Sequence, residues 1–598
     1  RLRCHSAMDN LMGSSTNDEP SPSLLAEGPV LVVGAGPIGL LTAYQLAKRG
    51  IRTILVERNH DTTRWPKMDI TNPRSMELLN HIGLAEDLKK LGLLAPSNDP
   101  LHQWILSNAV PPGVEERFSL DCLFSTGLSD GGEVLAKWDL PSPSEMRRRI
   151  HERNDGSMPS QAWLRCSQIL FEAWLKPIVE AHPLVKCFSG MKFERLSEHA
   201  DHVQSTITHV DTGVAHLVRS QYVIGCDGAG SRVRKSADIN LTGAPIGNRN
   251  LLVHFKSSDL GILHRQGQFW HLFLSTGACV INQDEKDTWT IHMPLAPEVD
   301  LETLNAEEMV FAALGDAGEP QRFTIDKILV TSAWHANLSV ADNYSTKSRR
   351  VLLAGDSAHQ NIPFGGYGMN TGLGDAYDLG WKLAMVLQGQ CGEKLLESYE
   401  IERRPVAIRN VAMSGTNVEM HMKYVSWVRD EPVGTVRSET PAGKHLRERI
   451  RSHVLAHDGE NKYLGIEMGY RHTASPVIVP DGDPKEQPIW TARDYFPSTW
   501  PGARAPHVYL NDDVTSIFDR FGFDFTVVDF TEEGHVGEEF SVIASGLGIP
   551  LSVLHLPQEK HARQVWERDV VLVRPDHHVS WRSIRRNPQA AWRLKTPF

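Results

Sequence analysis

Residues 29–59 read PVLVVGAGPIGLLTAYQLAKRGIRTILVERN. The apolar run Val30–Val33 leads straight into Gly34-x-Gly36-x-x-Gly39. Beyond it Leu40, Ala43, Leu46 and Ala47 recur at helical spacing, and Gly50 suits a helix C-terminus. A second apolar run, TILVE, closes on Glu57, eighteen residues after Gly39. Strand, glycine turn, helix, strand and acid in this order are what a dinucleotide requires. The glycines permit a tight turn and close approach of a pyrophosphate. The helix N-terminus carries roughly half a positive charge, and the acid accepts from ribose hydroxyls. A glycine turn alone is a weak signal, because such turns are common. The complete unit predicts cofactor binding through Gly34, Gly36, Gly39 and Glu57.

The rest of the composition suits a cofactor enzyme. At 598 residues the chain can hold several domains with large cores. A net charge of −11 gives no global basic footprint, so nucleic acid is not expected as a partner. No apolar run reaches the length of a membrane span. Residues 1–27 are polar, lack the apolar core of a secretory signal, and are expected to be a disordered tail. RLRCHSA, ahead of Met8, fits either added residues or the end of a processed leader. The seven cysteines form no CxxC, which suits free thiols in a reducing, cytoplasmic setting. His577-His578 are adjacent, and neighbours in a helix or strand do not converge on one ion. No metal site is expected.

Two further stretches repeat the strand-then-glycine theme. QYVIGCDGAGSRVRK (221–235) is an apolar strand ending in Cys226-Asp227-Gly228, with Ser231 and Arg234 opening a helix. VLLAGDSAHQNIPFGGYGMNTGLGDA (351–376) runs from an apolar strand into Gly355-Asp356 and then a glycine-dense loop. Glycine at that density destabilises regular structure, so something must lie close to the backbone there.

In this order and spacing, these motifs resemble the group A FAD-dependent aromatic hydroxylases of p-hydroxybenzoate hydroxylase fold, over residues 28–410. PGARAPHVYL (501–510), SIFDRFGFDFTVVDF (516–530) and VVLVRPDHHVSWR (570–582) are similar to the C-terminal thioredoxin-like domain of the phenol hydroxylase branch. The resemblance implies a multidomain α/β and α+β fold. A disordered tail (1–27) precedes a Rossmann-like FAD-binding domain in two parts, 28–245 with some substrate-domain segments and 346–430 with helices. Between them lies a β-sheet substrate-binding domain, 246–345. A Pro/Gly/charge-rich linker, 431–475, leads to a thioredoxin-like domain, 476–598. The last cysteine is Cys391, so that domain cannot run dithiol chemistry. It is expected to be structural or to support a homodimer.

The resemblance also assigns roles. FAD is the cofactor, with NADPH or NADH and O2 as co-substrates. Asp356 would bond the ribityl chain, and Asp227 would also contact the cofactor. Pro363, Gly366, Gly368, Met369 and Asn370 would pass along the isoalloxazine edge. A helix starting near Thr371 would point its N-terminus at the ring. Gln168 would border the flavin from a helix start. Pro66-Lys67 stands where the family has Pro-Arg, and Lys is not equivalent to a forked donor. Arg74 and Glu77 are read as a helix pair, and Arg165 fits a surface charge equally well. Substrate contacts are expected from Phe364, Tyr367, Trp270 and Trp289, with His271 and His292 on the same strands.

Asp69, in KMDITNPRSMELL (67–79), is the candidate catalytic base. It lines up with the family segment that carries an aspartate beside the substrate hydroxyl, although an aspartate capping a helix would look the same. A phenol has a pKa of roughly 10, so a carboxylate that takes its proton makes the ring a better nucleophile. The implied reaction is hydroxylation of a small phenolic substrate through a flavin C4a-hydroperoxide. Baeyer–Villiger oxidation, epoxidation and a flavin reductase or sensor are the alternatives.

Overall fold

A computed structural model describes residues 22–63, 65–67, 69–90, 121–284, 286–315, 319–480 and 487–583. Val30–Val33 are almost fully buried, as an apolar run at the centre of a parallel sheet must be. Their strand, Ser23–Val33, pairs in parallel with Thr53–Glu57 on one side and Ala215–Gly225 on the other. Val351–Leu353 joins the end of Ala215–Gly225, and Val185–Ser189 adds outside Thr53–Glu57, both in parallel. Val203–His209 and Met191–Glu198 complete the seven strands in antiparallel fashion. Register sets Val56, Val33, Gly225 and Leu353 side by side. Glu57, Gly34, Asp227 and Asp356 therefore leave one edge together. This edge is the carboxyl end of a parallel sheet, where such sheets bind ligands.

One boundary differs from the sequence expectation. The first strand starts at Ser23, inside the expected tail, because Ser23–Gly28 find partners along His216–Ser220. Residues 1–21, with Cys4 and the RLRCHSA segment, lie outside the described residues.

A second sheet of eight strands stands beside the first. Its order is His359–Gln360, Lys327–Ala341, Leu241–Lys256, Thr288–Leu295, Cys279–Asn282, His271–Leu274, Cys122–Ser125, Val134–Trp138. Alternation gives it two unlike faces. Leu251, Val253, Leu272, Val280, Trp289 and Ile291 bury one face in a closed apolar core. Phe124, Trp138 and Phe273 on the other face pack with Phe364 of the glycine-dense loop. The site lies on that second side.

The stretch read as a linker, 431–475, is structured. Thr440 caps a helix over Pro441–Ala456, whose Leu446, Ile450 and Val454 are buried at four-residue spacing. Trp138 Nε1 donates to Val454 O at 2.9 Å, so this helix covers the edge of the second sheet. The charged residues between the apolar positions mark the helix's wet face, not a linker.

The last unit is a four-stranded sheet, with Phe525–Asp529 parallel to Leu551–His555 and antiparallel to Val570–Val573, and Val579–Arg582 at the edge. Its docking is ionic and buried. Arg504 grips both carboxylate oxygens of Glu77, with Nε to Oε2 at 2.8 Å, and Arg74 adds a bond to Glu77 Oε2 at 3.2 Å. Burial pushes the Glu77 carboxyl up, but Arg504 and Arg74 outweigh it and hold it down to about 2. Arg74–Glu77 is thus more than a helix pair; it anchors a domain. Among the described residues no helix is long and apolar enough to cross a membrane.

Candidate active site

The dinucleotide turn is shaped first by the chain's own crowding. Gly34 has φ +101°, and a Cβ on Gly39 would lie 1.8 Å from Gly34 O. Gly36 is different: a Cβ there would meet nothing closer than Glu172 Oε1 at 3.9 Å. Gly368, in the second glycine loop, has similar room, with Asn361 Cβ at 3.8 Å. Neither glycine is required by the packing of the chain's own atoms, which leaves room at both turns for another body. Both loops open helices, Pro37–Lys48 and Tyr367–Leu387, whose glycine N-caps supply no side-chain bond. Asn72, Ser142, Ser167 and Thr440, in contrast, cap theirs. The bare N–H groups of the two glycine-started helices suit the oxygens of an anionic cofactor.

The expected cofactor residues fall into distinct roles. Glu57 Oε2 accepts from Ala35 N at 2.8 Å and closes the turn beside Gly34. Asp356 is exposed at the sheet edge, next to that turn in register. Gln168 Nε2 donates to Glu172 Oε1 at 2.7 Å at the start of its helix. Asp227 departs from expectation. Its carboxylate accepts from Ser231 Oγ (2.5 Å), Arg232 N (2.6 Å) and Val233 N (3.1 Å), so it caps a short helix. Those bonds hold its own turn, which packs against Gly34.

The second loop is stapled to the segment carrying Asp69. Asn370 Oδ1 accepts from Asn72 N at 3.0 Å, and its Nδ2 donates to Ile70 O at 3.1 Å and Gly366 O at 2.7 Å. The helix starts at Tyr367 rather than near Thr371, because Gly366 in the left-handed region (φ +64°) turns the chain into it. Pro363 is exposed and Met369 is buried in the core of the first sheet. Tyr367 also departs from expectation. Its ring packs under Gly365, where it is buried, and lines a cavity of about 20 Å³ with Arg74, Glu467 and Tyr470.

Asp69 is buried, and two expected residues meet at its carboxylate. Trp270 Nε1 donates to Oδ2 at 2.5 Å, and Arg165 Nη2 stands 3.4 Å from the same atom. Arg165 is a buried cation that also bonds Asn282 O, not a surface charge. Burial raises the Asp69 pKa, while Arg165 and Trp270 pull against it. His271, Cys279 and His292 lie on the same side of the second sheet and keep some accessible surface. The charge of Asp69 is felt at both Cys279 and His292. Trp289 does not belong here. It lies on the opposite face of the sheet, donating to Ser257 O at 3.0 Å inside the apolar core.

Residues 27–414 match the family pattern described as FAD binding domain, and residues 498–596 match that of the aromatic-ring hydroxylase C-terminal domain. The chain belongs to the FAD-dependent aromatic monooxygenases. It is 42% identical to the FAD-dependent monooxygenase apdD of Emericella nidulans, over 98% of this chain and 93% of that one. It is 27% identical to a phenol 2-monooxygenase of a Pseudomonas species, over 96% of this chain and 92% of that one. Among solved structures, the flavin-dependent monooxygenase PieE, in complex with FAD and substrate, superposes with a TM-score of 0.79 at 26% identity, over 96% of this chain and 98% of that one.

Two groups in this monooxygenase escaped the sequence reading. Asp375 is buried within the helix behind the second loop, where it accepts from Gly355 N (3.1 Å), His359 Nε2 (2.9 Å) and Arg403 Nε (2.8 Å). It ties the Gly355-Asp356 turn to the helix. His421 packs its ring at a tilt against Phe273 and Phe364 and bonds Glu460 Oε2 at 2.9 Å, while Glu460 Oε1 accepts from Gly365 N at 2.8 Å. An acid directly after the glycine-rich start of this helix is a readable hint for Asp375. Nothing local marked His421 or Glu460.

Proposed function

We propose that the enzyme hydroxylates a phenolic ring, using NAD(P)H and O2, and that Asp69 takes the hydroxyl proton. FAD, when bound and reduced by the nicotinamide, would supply the means of activating O2; the protein binds, orients and keeps water out. Gly34, Gly36 and Gly39 with the first helix would hold the pyrophosphate. Glu57 would take the ribose, Asp356 the ribityl chain, and Gly366, Gly368 and Asn370 the ring edge.

The observation that carries the reading is the placement of Asp69. It is a buried carboxylate with raised proton affinity, held by Trp270 and Arg165 one residue before the segment that Asn370 staples to the flavin loop. A base positioned there needs no loop movement to meet a ring at the flavin edge. Relatives named as phenol 2-monooxygenase, 2,4-dichlorophenol 6-monooxygenase and putative polyketide hydroxylase support a phenolic substrate. The six described cysteines form no disulfide, which supports a reducing compartment, and a homodimer is part of the proposal, testable by light scattering.

The test is oxygen uptake by the FAD-loaded enzyme with NADPH or NADH and a panel of phenols, followed by product mass. A gain of one oxygen with the ring intact is expected. Ring expansion would replace the proposal with Baeyer–Villiger chemistry, and no product from any phenol or ketone would leave a reductase or sensor.

A further inference from the structure

Within electrostatic reach of Asp69, the second sheet presents a polar pair. Trp334 and His292 lie on neighbouring parts of one face, because Trp334 is opposite Asn250 and His292 opposite Leu252, two residues along the same strand. Their rings meet edge to face at 5.8 Å, and Trp334 Nε1 donates to His292 Nδ1 at 3.3 Å. An indole N–H can only donate, so Nδ1 must accept and the ring proton must sit on Nε2. Burial holds the His292 pKa down to about 4, which agrees with a neutral ring. Nε2 has no hydrogen-bond partner among the described residues, and it keeps accessible surface. The indole thus locks the imidazole as a fixed N–H donor.

We propose that His292 Nε2–H binds a carbonyl oxygen of the substrate, distinct from the hydroxyl that faces Asp69. The substrate class is then a phenol bearing an acyl, amide or ring carbonyl, not a simple phenol. A carbonyl accepts and carries no proton of its own. A second hydroxyl would need an acceptor as well, and the Trp334–His292 pair offers only a donor. The arrangement discriminates because a ligand lacking the oxygen would bury that N–H unpaired. This inference rests on the hydroxylase reading.

The test uses the FAD-loaded enzyme without nicotinamide, titrated with ligands while tryptophan fluorescence is followed. Acylphenols are compared with alkylphenols of matched size, with the substituent at each ring position. Wild type should bind the carbonyl compound about 3- to 10-fold more tightly at one ring position. His292→Leu should bring that ratio to about one with full FAD content. His292→Gln, which keeps a donor, should restore part of it. Trp334→Phe should also weaken it, because the imidazole is then free to place its proton on Nδ1; a purely steric role for His292 would not respond. A ratio of one in wild type, or a ratio that survives His292→Leu, overturns the proposal while leaving phenol hydroxylation standing. If wild type neither binds nor oxygenates any phenol, the hydroxylase reading falls and this inference with it.

Discussion

Trp270→Phe is the sharpest probe of Asp69. The substitution keeps an aromatic ring in the buried position and removes one atom of consequence, the Nε1–H that lies 2.5 Å from Asp69 Oδ2. That bond stabilises the carboxylate over the acid. A hydrogen bond to a charged group contributes about 1.5–3 kcal/mol, and a pKa unit corresponds to about 1.4 kcal/mol, so its loss should raise the Asp69 pKa by roughly 1–2 units. The sign follows from the role. Asp69 can accept a proton only as the carboxylate, a form lost as pH falls through its pKa. Raising the pKa therefore moves the acidic limb of coupled hydroxylation to higher pH by the same amount. The assay is product formed per NAD(P)H consumed, across pH, beside the rate of flavin reduction, which should not shift. Asp69→Asn, which keeps an oxygen for Trp270, should remove the limb, lower coupled turnover at least about tenfold and release the difference as hydrogen peroxide. A limb that stays in place in Trp270→Phe, or coupling that survives in Asp69→Asn, would return Asp69 to a structural role.

Asp356→Ala should weaken FAD binding by about 5–150-fold, the loss of roughly 1–3 kcal/mol of hydrogen bonding, as read by flavin fluorescence on dilution. Gly39→Ala should yield flavin-free protein, since its Cβ would meet Gly34 O at 1.8 Å; normal flavin content would show that the turn can reshape. Glu77→Gln strands the buried Arg504 and Arg74 and should cost about 3–5 kcal/mol by denaturant melts. In wild type the Glu77 contribution is complete above its ordinary pKa of 4.5 and is lost as pH falls toward about 2, so Glu77→Gln should flatten stability over that window. Ending the chain near residue 430 should give aggregation, because it removes the helix Pro441–Ala456 from Trp138 as well as the last domain.

The parts of this enzyme that could be read in its sequence are those whose cause is local. Gly34–Gly39, Asp227-Gly228 and Gly355-Asp356 each follow a strand within a few residues, and register then lines them up on one edge. What was misread depends on distant partners. Arg165, which fits a surface charge in its own segment, is buried beside Asp69, 96 residues away, and Trp270 reaches the same carboxylate from 201 residues away. Trp289 and His292 share one strand, and alternation separates them but cannot say which face is the core. Tyr367 was placed by proximity to the loop, yet a helix start turns successive side chains about 100° apart, which put its ring under Gly365.

The glycine-dense loop holds two causes that the sequence alone merges. Gly372 packs where a Cβ would lie 2.7 Å from Ile38 Cδ1, and Gly374 where it would lie 2.6 Å from Arg403 Nη2. These glycines let two helices and a buried cation approach; they are not there for the flavin. Gly368 keeps room that the protein does not use. The same helix is gripped from behind: Lys382 bonds Asp378 (2.7 Å) and Glu402 (2.6 Å), and Arg574 of the last domain bonds Glu402 Oε1 (2.6 Å) and Asp576 Oδ2 (2.6 Å). His472 and His578 bring ring nitrogens near Asp576, but Arg574 and Lys382 already neutralise these carboxylates, which makes the cluster an ionic lock rather than a cation cage. A domain with no cysteine for redox work thus has a physical task. It grips, through Asp378, Lys382 and Glu402, the helix that opens at the glycine-dense loop and that Asn370 staples to the Asp69 segment.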